Sequence, residues 1–172
     1  ALFKPPRYGY WPHAWARGYH TTIADGTASH INPNSFLLWL TSDLAPHLTA
    51  TRPVPDSVLN QAVWGVGGLV RELRNGKVLP RARRSATRNR YTMIAACAQT
   101  EQLWLAAFDD VTRGTAAQIL ADQGATDGLV LDGGGSTAFY LHASGGGVPS
   151  GLHTGGRRPV ATHIGVRVRP AE

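Results

Sequence analysis

The chain has 172 residues, enough for one domain, and its 42% apolar content is sufficient for a buried core. No apolar run reaches the roughly eighteen residues of a transmembrane helix, and the single cysteine excludes an intrachain disulfide or a cysteine zinc cluster. The net charge of +6 comes almost wholly from arginine, so charge allows phosphorylated small molecules, anionic glycans, anionic lipids or nucleic acid as partners.

The first part of the chain gives few clear secondary-structure signals. Residues 1–20 are rich in aromatic residues and prolines, which predicts an extended arm lying over a surface. The aromatic residues of this arm either pack on protein or, through Trp11, Trp15 and Tyr19, form a platform that stacks on sugar rings. Residues 35–48 fit either a buried strand or a short helix, and the pattern does not decide between them.

Turn and cap signals delimit the middle of the chain. Asp56 is a plausible N-cap for a short helix, and Asn75-Gly76 predicts a tight hairpin within residues 67–79. Two apolar strands flank a polar turn at Gln99 to Gln102. A helix is predicted within residues 111–125, with Gly124 as its C-terminal stop.

The last part of the chain is read as strands separated by glycine-rich segments. Strands are predicted at 127–132, 136–143 and 159–170, with a glycine-rich loop at 145–156. Strands therefore outnumber helices, which predicts an α+β fold with mixed, mainly antiparallel sheets and few helices. We expect one compact domain with two parts. Residues 1–60 form an N-terminal arm and the first strands, which match no known element, and residues 61–172 form the core.

The stretch "DGLVLDGGGST" is the most informative motif. Asp132 ends an apolar strand and is either a turn-forming residue or a functional carboxylate that serves as general acid or base or as a metal ligand. Gly133, Gly134 and Gly135 lack Cβ atoms, so their N–H groups could turn toward one anion, although a turn or bulge explains them too. Ser136 follows a glycine instead of a lysine, which disfavours a nucleotide-binding P-loop.

Other charged residues offer weaker signals. The run "RARRSATRNR" at 81–90 is typical of a solvated face, but one of its arginines could turn inward to hold a phosphate. Arg157 and Arg158 form a second basic spot after a glycine loop. Asp109 and Asp110 close an apolar strand, a common place for site residues, and Asp110 could instead cap the next helix. Nucleic acid is disfavoured as a partner because no nucleic-acid motif is present.

In this order, the pieces resemble the phosphodiester glycosidase family over about residues 62–169. The resemblance depends on a strand running into Leu-Asp-Gly-Gly-Gly-Ser, here "LVLDGGGST", and on a preceding helix that ends in Gly-Ala. Three weaker elements agree with it in order, namely "GGLVRELRNGK", Arg84-Ser85-Ala86 and "RRPVATHIGV".

The resemblance implies hydrolysis of a sugar-1-phosphodiester into a free sugar and a phosphomonoester, with a phosphorylated carbohydrate or anionic glycan as ligand. It implies that Asp132 acts as acid or base or holds a water or metal, with Asp109 as a weaker catalytic candidate. Phosphate would be held by Arg84 and Arg158 and by donors from Gly133, Gly134, Gly135 and Ser136. Calcium is a possible cofactor, and the chain is expected to be exported or extracellular.

One family element has no counterpart that can be read in this chain. Members usually carry an Asn-Gly-Gly-aromatic-Phe element in their first half, whereas residues 1–60 show no such match. A complete site would then need this element to be supplied by an oligomer, a second chain or a removed segment. The alternative is a catalytically inactive relative that binds anionic glycan or has a structural role.

Overall fold

The computed structural model describes residues 21–49, 52–68, 70–141, 151–155 and 164. These described residues form two five-stranded sheets, and the first has the strand order β2-β1-β5-β3-β4 with antiparallel pairing between all neighbours. A short helix, α1 (Asp56–Leu59), precedes its central strand β5. The strands of this sheet are β1 (Thr22–Ala24), β2 (Thr27–His30), β3 (Phe36–Leu40), β4 (Pro46–Leu48) and β5 (Trp64–Gly68).

The second sheet has the order β7-β6-β10-β8-β9 and is also antiparallel throughout. A 3-10 turn at Gly134–Ser136 and a separate hairpin of two strands follow it along the chain. The elements after β5 are β6 (Val70–Arg74), β7 (Lys77–Val78), α2 (Pro80–Arg83), β8 (Asn89–Cys97), β9 (Gln102–Val111), α3 (Arg113–Asp122), β10 (Asp127–Gly133), β11 (Ala138–Leu141) and β12 (Gly151–Gly155). The predicted α+β class with mainly antiparallel sheets is therefore confirmed.

The two sheets pack face to face. Leu38 and Val66 of the first sheet meet Ile94, Leu129 and Leu131 of the second in one buried apolar cluster. Side chains alternate along a strand, so the residues between these point to the outer faces of the sandwich.

Helices α2 and α3 cover the outer face of the second sheet. Met93 of β8 and Leu73 of β6 pack there against Ala82 of α2 and against Ala117 and Leu120 of α3. Because β8 is buried on both faces, its sequence is a nearly continuous apolar run instead of an alternating one. On the first sheet, Leu37 and Trp39 pack outward in a separate cluster that includes Val54.

The chain passes from one sheet to the other between β5 and β6, where the sheets approach closely. A Cβ atom on Gly68 would lie 2.7 Å from the carbonyl oxygen of Val130, a separation that real side chains do not reach. Glycine at this position therefore allows the sheets to close on each other at β10, the strand that leads to Asp132.

Most predicted elements of the middle of the chain are present. Asn75 and Gly76 form the hairpin turn with φ of 49° and 71°, and Gly124 follows α3 with φ of 97°. The ambiguous segment 35–48 contains the two strands β3 and β4. The predicted cap at Asp56 is wrong, because Asp56 is the first residue of α1 and its N-cap position is held by Pro55.

Two other predictions concern the ends of the chain. The loop predicted at 145–156 is wrong for residues 151–155, because β12 pairs there with β11. The arm at 1–20 and, apart from residue 164, the strand at 159–170 lie outside the described residues. Strands from both sides of the division at residue 60 share the first sheet, where β5 lies between β1 and β3.

Candidate active site

Asp132 lies at the end of β10, where the strand is irregular. Val130 pairs with Met93 of β8, yet Asp132 pairs with Thr92, so one extra residue stands on the β10 side of the ladder. Such a bulge turns the side chains that follow it, and bulges are frequent beside active sites. Asp132 is half-buried there and lines an open cleft of about 370 Å³.

The two positions directly after Asp132 favour glycine for different structural reasons. A Cβ on Gly133 would lie 2.9 Å from the carbonyl oxygen of Arg90 and 3.2 Å from the ring of Tyr91, so β8 leaves no room for a side chain. Gly134 has a φ of 65°, which favours glycine, and it opens the 3-10 turn that includes Gly135. The N–H of Gly133 donates to the Asp132 Oδ1 atom at 2.6 Å, so this donor already has an acceptor within the loop.

Among the described residues, the cleft combines one acidic side chain with one basic side chain and the hydroxyl groups of a serine, a threonine and a tyrosine. Asp132, Arg113, Ser85 and Thr87 all line this cleft. The described residues that line the cleft are Val70, Ser85, Thr87, Tyr91, Arg113, Val130, Leu131, Asp132 and Gly133. A guanidinium and hydroxyl donors that share a cleft with a carboxylate are groups that can bind an oxyanion near a general acid or base.

Arg113 reaches the cleft from the first turn of α3. Thr112 caps this helix, since its hydroxyl oxygen accepts the Thr115 N–H at 3.1 Å. Gly114, the residue after Arg113, allows α3 to approach α2 closely. A Cβ atom at this position would lie only 2.9 Å from the carbonyl oxygen of Ala82. This close approach brings the Arg113 Nε atom to 3.4 Å from the Ser85 Oγ atom, which it contacts as a donor.

Glu72 lies beneath the cleft and is fully buried, at 0% exposure. Its Oε1 atom is 2.9 Å from the Arg113 Nη1 atom, and its Oε2 atom is 3.7 Å from the Arg81 Nε atom. Burial raises the pKa of Glu72, and the charges of Arg113 and Arg81 oppose that rise. Among the described residues, neither carboxylate oxygen receives a well-aligned hydrogen bond.

The structure brings only part of the predicted site together. Asp132 and Gly133 line the cleft, and Gly134, Gly135 and Ser136 continue from them without being among the lining residues. Arg84 is exposed at the C-terminal end of α2, and its neighbour Ser85 lines the cleft instead. Arg158 lies outside the described residues.

Asp109 and Asp110 take part in ion pairs at the surface and are not among the residues that line the cleft. The Asp109 side chain is 65% exposed, with its Oδ1 atom 3.6 Å from the Arg90 Nε atom. The Arg88 guanidinium hydrogen bonds to Asp110 and lowers the pKa of that carboxyl. The proposed helix cap at Asp110 is wrong, because Thr112 holds the N-cap position.

Sequence reasoning missed most of the residues that line the cleft together with Asp132. The sequence did not predict a role for Arg113, Thr87, Tyr91 or the buried Glu72. It offered Ser85 only as part of a family element. The available signal was the sequence "VTRG", in which a capping threonine is followed by an arginine in the first helical turn. Basic residues are not favoured at a helix N-terminus by the helix dipole, so Arg113 stands there for another reason.

No metal site is formed by the residues that the structure describes. Within them, no three His, Cys, Asp or Glu side chains lie close enough to hold a metal ion. The expectation of calcium stays a prediction. None of the described helices is long and apolar enough to cross a membrane.

The antiparallel fold agrees with the comparisons to known proteins. The phosphodiester glycosidase family matches residues 20–167, so the chain belongs to that family. The match extends the resemblance seen in the sequence from about residue 62 back to residue 20.

Among solved structures, the chain is similar to the catalytic domain of zebrafish N-acetylglucosamine-1-phosphodiester alpha-N-acetylglucosaminidase, in the form auto-inhibited by its pro-peptide. The TM-score is 0.60 at 19% sequence identity, and the match covers 71% of this chain and 48% of the zebrafish one. This likeness establishes a shared fold, and the chain matches about half of the zebrafish structure. The curated proteins give no significant match.

Proposed function

We propose that the chain is a hydrolase that cleaves a sugar-1-phosphodiester and releases a free sugar and a phosphomonoester. One observation carries the proposal: Asp132, at the end of the family's characteristic strand, shares a cleft with Arg113, Ser85 and Thr87. The cleft therefore offers a carboxylate for the sugar side of the reaction and donors for the phosphate side. Membership of the phosphodiester glycosidase family supports the same reaction class.

In the proposed reaction, a water oxygen forms a bond to the anomeric carbon while the bond from that carbon to the phosphate oxygen breaks. The bonding electrons leave with the phosphate, which gains a second negative charge, and Asp132 accepts a proton from the water. Catalysis requires that the added phosphate charge be stabilised more strongly in the transition state than in the substrate. Arg113 and the two hydroxyl groups are the cleft residues suited to that stabilisation.

The other predicted residues have supporting roles in this proposal. The N–H groups of Gly134 and Gly135 and the hydroxyl of Ser136 add donors where the loop leaves the cleft. Arg84 and Arg158 attract the anionic substrate. Asp109, which pairs with Arg90 at the surface, is the weakest candidate, and phosphate is a good enough leaving group that one carboxylate suffices.

The rival function is binding of an anionic glycan without turnover. It is favoured by the absence of a readable Asn-Gly-Gly-aromatic-Phe element and by the arginine-rich composition. A second chain that completes the site, or an oligomer, would reconcile that absence with catalysis. Export to a compartment that contains glycans fits both functions and is part of the proposal.

The test is release of reducing sugar from a panel of hexose and N-acetylhexosamine 1-(methyl phosphates), in both anomeric forms. We expect turnover by the wild type and a loss of about 100-fold or more in Asp132→Asn, because the variant cannot accept the proton. Asp56→Asn, which changes an exposed carboxylate on α1, is the matched control and should keep full activity.

Asp109→Asn is assayed beside these variants to test its weaker candidacy. Equal rates in the wild type and Asp132→Asn would sink the assignment of Asp132. A folded wild type that binds the panel compounds but releases no sugar would establish the rival function instead.

A further inference from the structure

A buried acid lies directly beneath the proposed phosphate-binding wall. Glu72 is inaccessible to solvent and is not among the residues that line the cleft, so it is not placed to touch a ligand. It does contact the arginine that lines the cleft, with 2.9 Å between its Oε1 atom and the Arg113 Nη1 atom. The same guanidinium contacts the Ser85 hydroxyl through its Nε atom.

Stability does not explain a carboxyl group in this position. Burial disfavours the charged carboxylate, and within the described residues neither of its oxygens has an aligned hydrogen bond that would offset the lost hydration. The Arg81 side chain is 47% exposed and its contact is long, at 3.7 Å, so Arg81 is a weak partner. An apolar residue would fill the same place on β6 without this cost.

The geometry points to a positioning role instead. An arginine has five N–H donors in a rigid plane, and fixing two points of that plane fixes the direction of the others. Glu72 holds Arg113 at Nη1 and Ser85 holds it at Nε, which leaves further N–H groups of this cleft-lining side chain for a ligand.

We propose that Glu72 is a positioning residue that orients Arg113, so that its guanidinium presents donors to an oxygen of the substrate phosphate. The proposal rests on the proposed function for the identity of the ligand. What is new is that a buried carboxyl group outside the cleft fixes the orientation of an arginine that lines it.

The test uses inorganic phosphate as the ligand, with affinity measured by calorimetric titration, so that it does not depend on turnover. Glu72→Gln keeps the size of the side chain and removes its charge, and Arg113→Lys keeps the charge and removes the planar fork. We expect each change to weaken phosphate binding by about tenfold, the loss of one charge-assisted contact. The double variant should be little weaker than either single variant, because both changes remove the same interaction.

Two further measurements separate positioning from a structural role. The melting temperature of Glu72→Gln should stay within about 4 °C of the wild type, because Arg113 and Arg81 both reach solvent and neither becomes an isolated buried charge. The ¹⁵N-detected signal of the Arg113 Nε–H should be sharp in the wild type and broadened in Glu72→Gln. Asp127→Asn, which breaks the ion pair of Arg71 with Asp127, is the matched control: it should lower stability and leave phosphate affinity unchanged.

The outcomes are distinct from those of the proposed function. Unchanged phosphate affinity in Glu72→Gln, or a wild type that binds no phosphate, would overturn the positioning role. A large drop in melting temperature with unchanged affinity would make Glu72 a structural residue only. Tenfold weaker phosphate binding, with no sugar released by any variant, would uphold the positioning role and reject the hydrolase.

Discussion

At the residue scale, Asp132 and Arg113 bring opposite charges to one cleft and come from elements that follow each other in the chain. Asp132 is placed by a bulge in β10, and Arg113 is placed by the first turn of α3. Neither residue belongs to a surface ion pair of the kind that Arg88 forms with Asp110 and Arg90 forms with Asp109. Because surface pairs are solvated, they contribute little to stability or binding, whereas the two cleft residues are positioned to contact a ligand bound there.

The buried acid gives a prediction about pH at the same scale. Burial raises the pKa of Glu72 above its ordinary value of 4.5, and Arg113 of α3 and Arg81 of α2 are the charged groups that oppose the rise. The folded state therefore holds this proton more tightly than the unfolded state. The stability that protonated Glu72 contributes is fully present below pH 4.5 and is lost as pH rises through the folded-state pKa.

Glu72→Gln removes this titration and leaves the other groups in place. We therefore expect the free energy of unfolding of the wild type, minus that of the variant, to fall as pH rises from about 4 to about 7. Urea unfolding at a series of pH values measures the difference. A difference that grows with pH would show that the two arginines outweigh burial and lower the pKa instead.

At the element scale, the docking of α3 on α2 determines whether the cleft wall forms. The two helices meet at Gly114 and Ala82, and this contact places Arg113 next to Ser85. Ser85 follows α2 directly, so any change in the distance between the helices changes the position of a donor in the cleft. The helices also cover the outer face of the second sheet, which is the reason that Glu72 is buried.

Gly114→Ala tests this docking. The new Cβ would lie 2.9 Å from a backbone oxygen, so we expect α3 to shift, at a cost of about 1–3 kcal/mol of stability and with a loss of turnover. Unfolding by urea and sugar release measure the two effects.

Gly124→Ala is the matched control, because it meets open space and its cost of about 1 kcal/mol comes only from the left-handed backbone. Turnover that falls equally in both variants would mean that the cleft does not depend on the contact between the helices.

The sequence predicts the elements of this region better than it predicts their contacts. The hairpin at Asn75-Gly76 and the helix end at Gly124 follow from local turn chemistry, which needs no knowledge of the rest of the fold. Five arginines within residues 81–90 look alike in sequence, and the cation that lines the cleft comes from α3 instead. Glu72 could not be predicted either, because its burial results from helices that arrive later in the chain.

At the scale of the whole molecule, two antiparallel sheets form a sandwich and the site lies where β10 leaves it. The first sheet combines β1–β4, which carried no readable motif, with β5, which belongs to the predicted core. All five strands contain only three to five residues, and β5 has glycine at three of its five positions, so local periodicity gave little signal for them. The family match from residue 20 shows that these strands belong to the same fold as the glycine-rich loop.

Isotope labelling tests most directly whether the protein breaks the bond between the anomeric carbon and the phosphate oxygen. The reaction is run in ¹⁸O-labelled water, and the phosphomonoester product is analysed by mass spectrometry. Cleavage at the anomeric carbon places the water oxygen on the sugar, so we expect no ¹⁸O in the phosphomonoester. A phosphomonoester that contains one ¹⁸O atom would show attack at phosphorus and would contradict the claim.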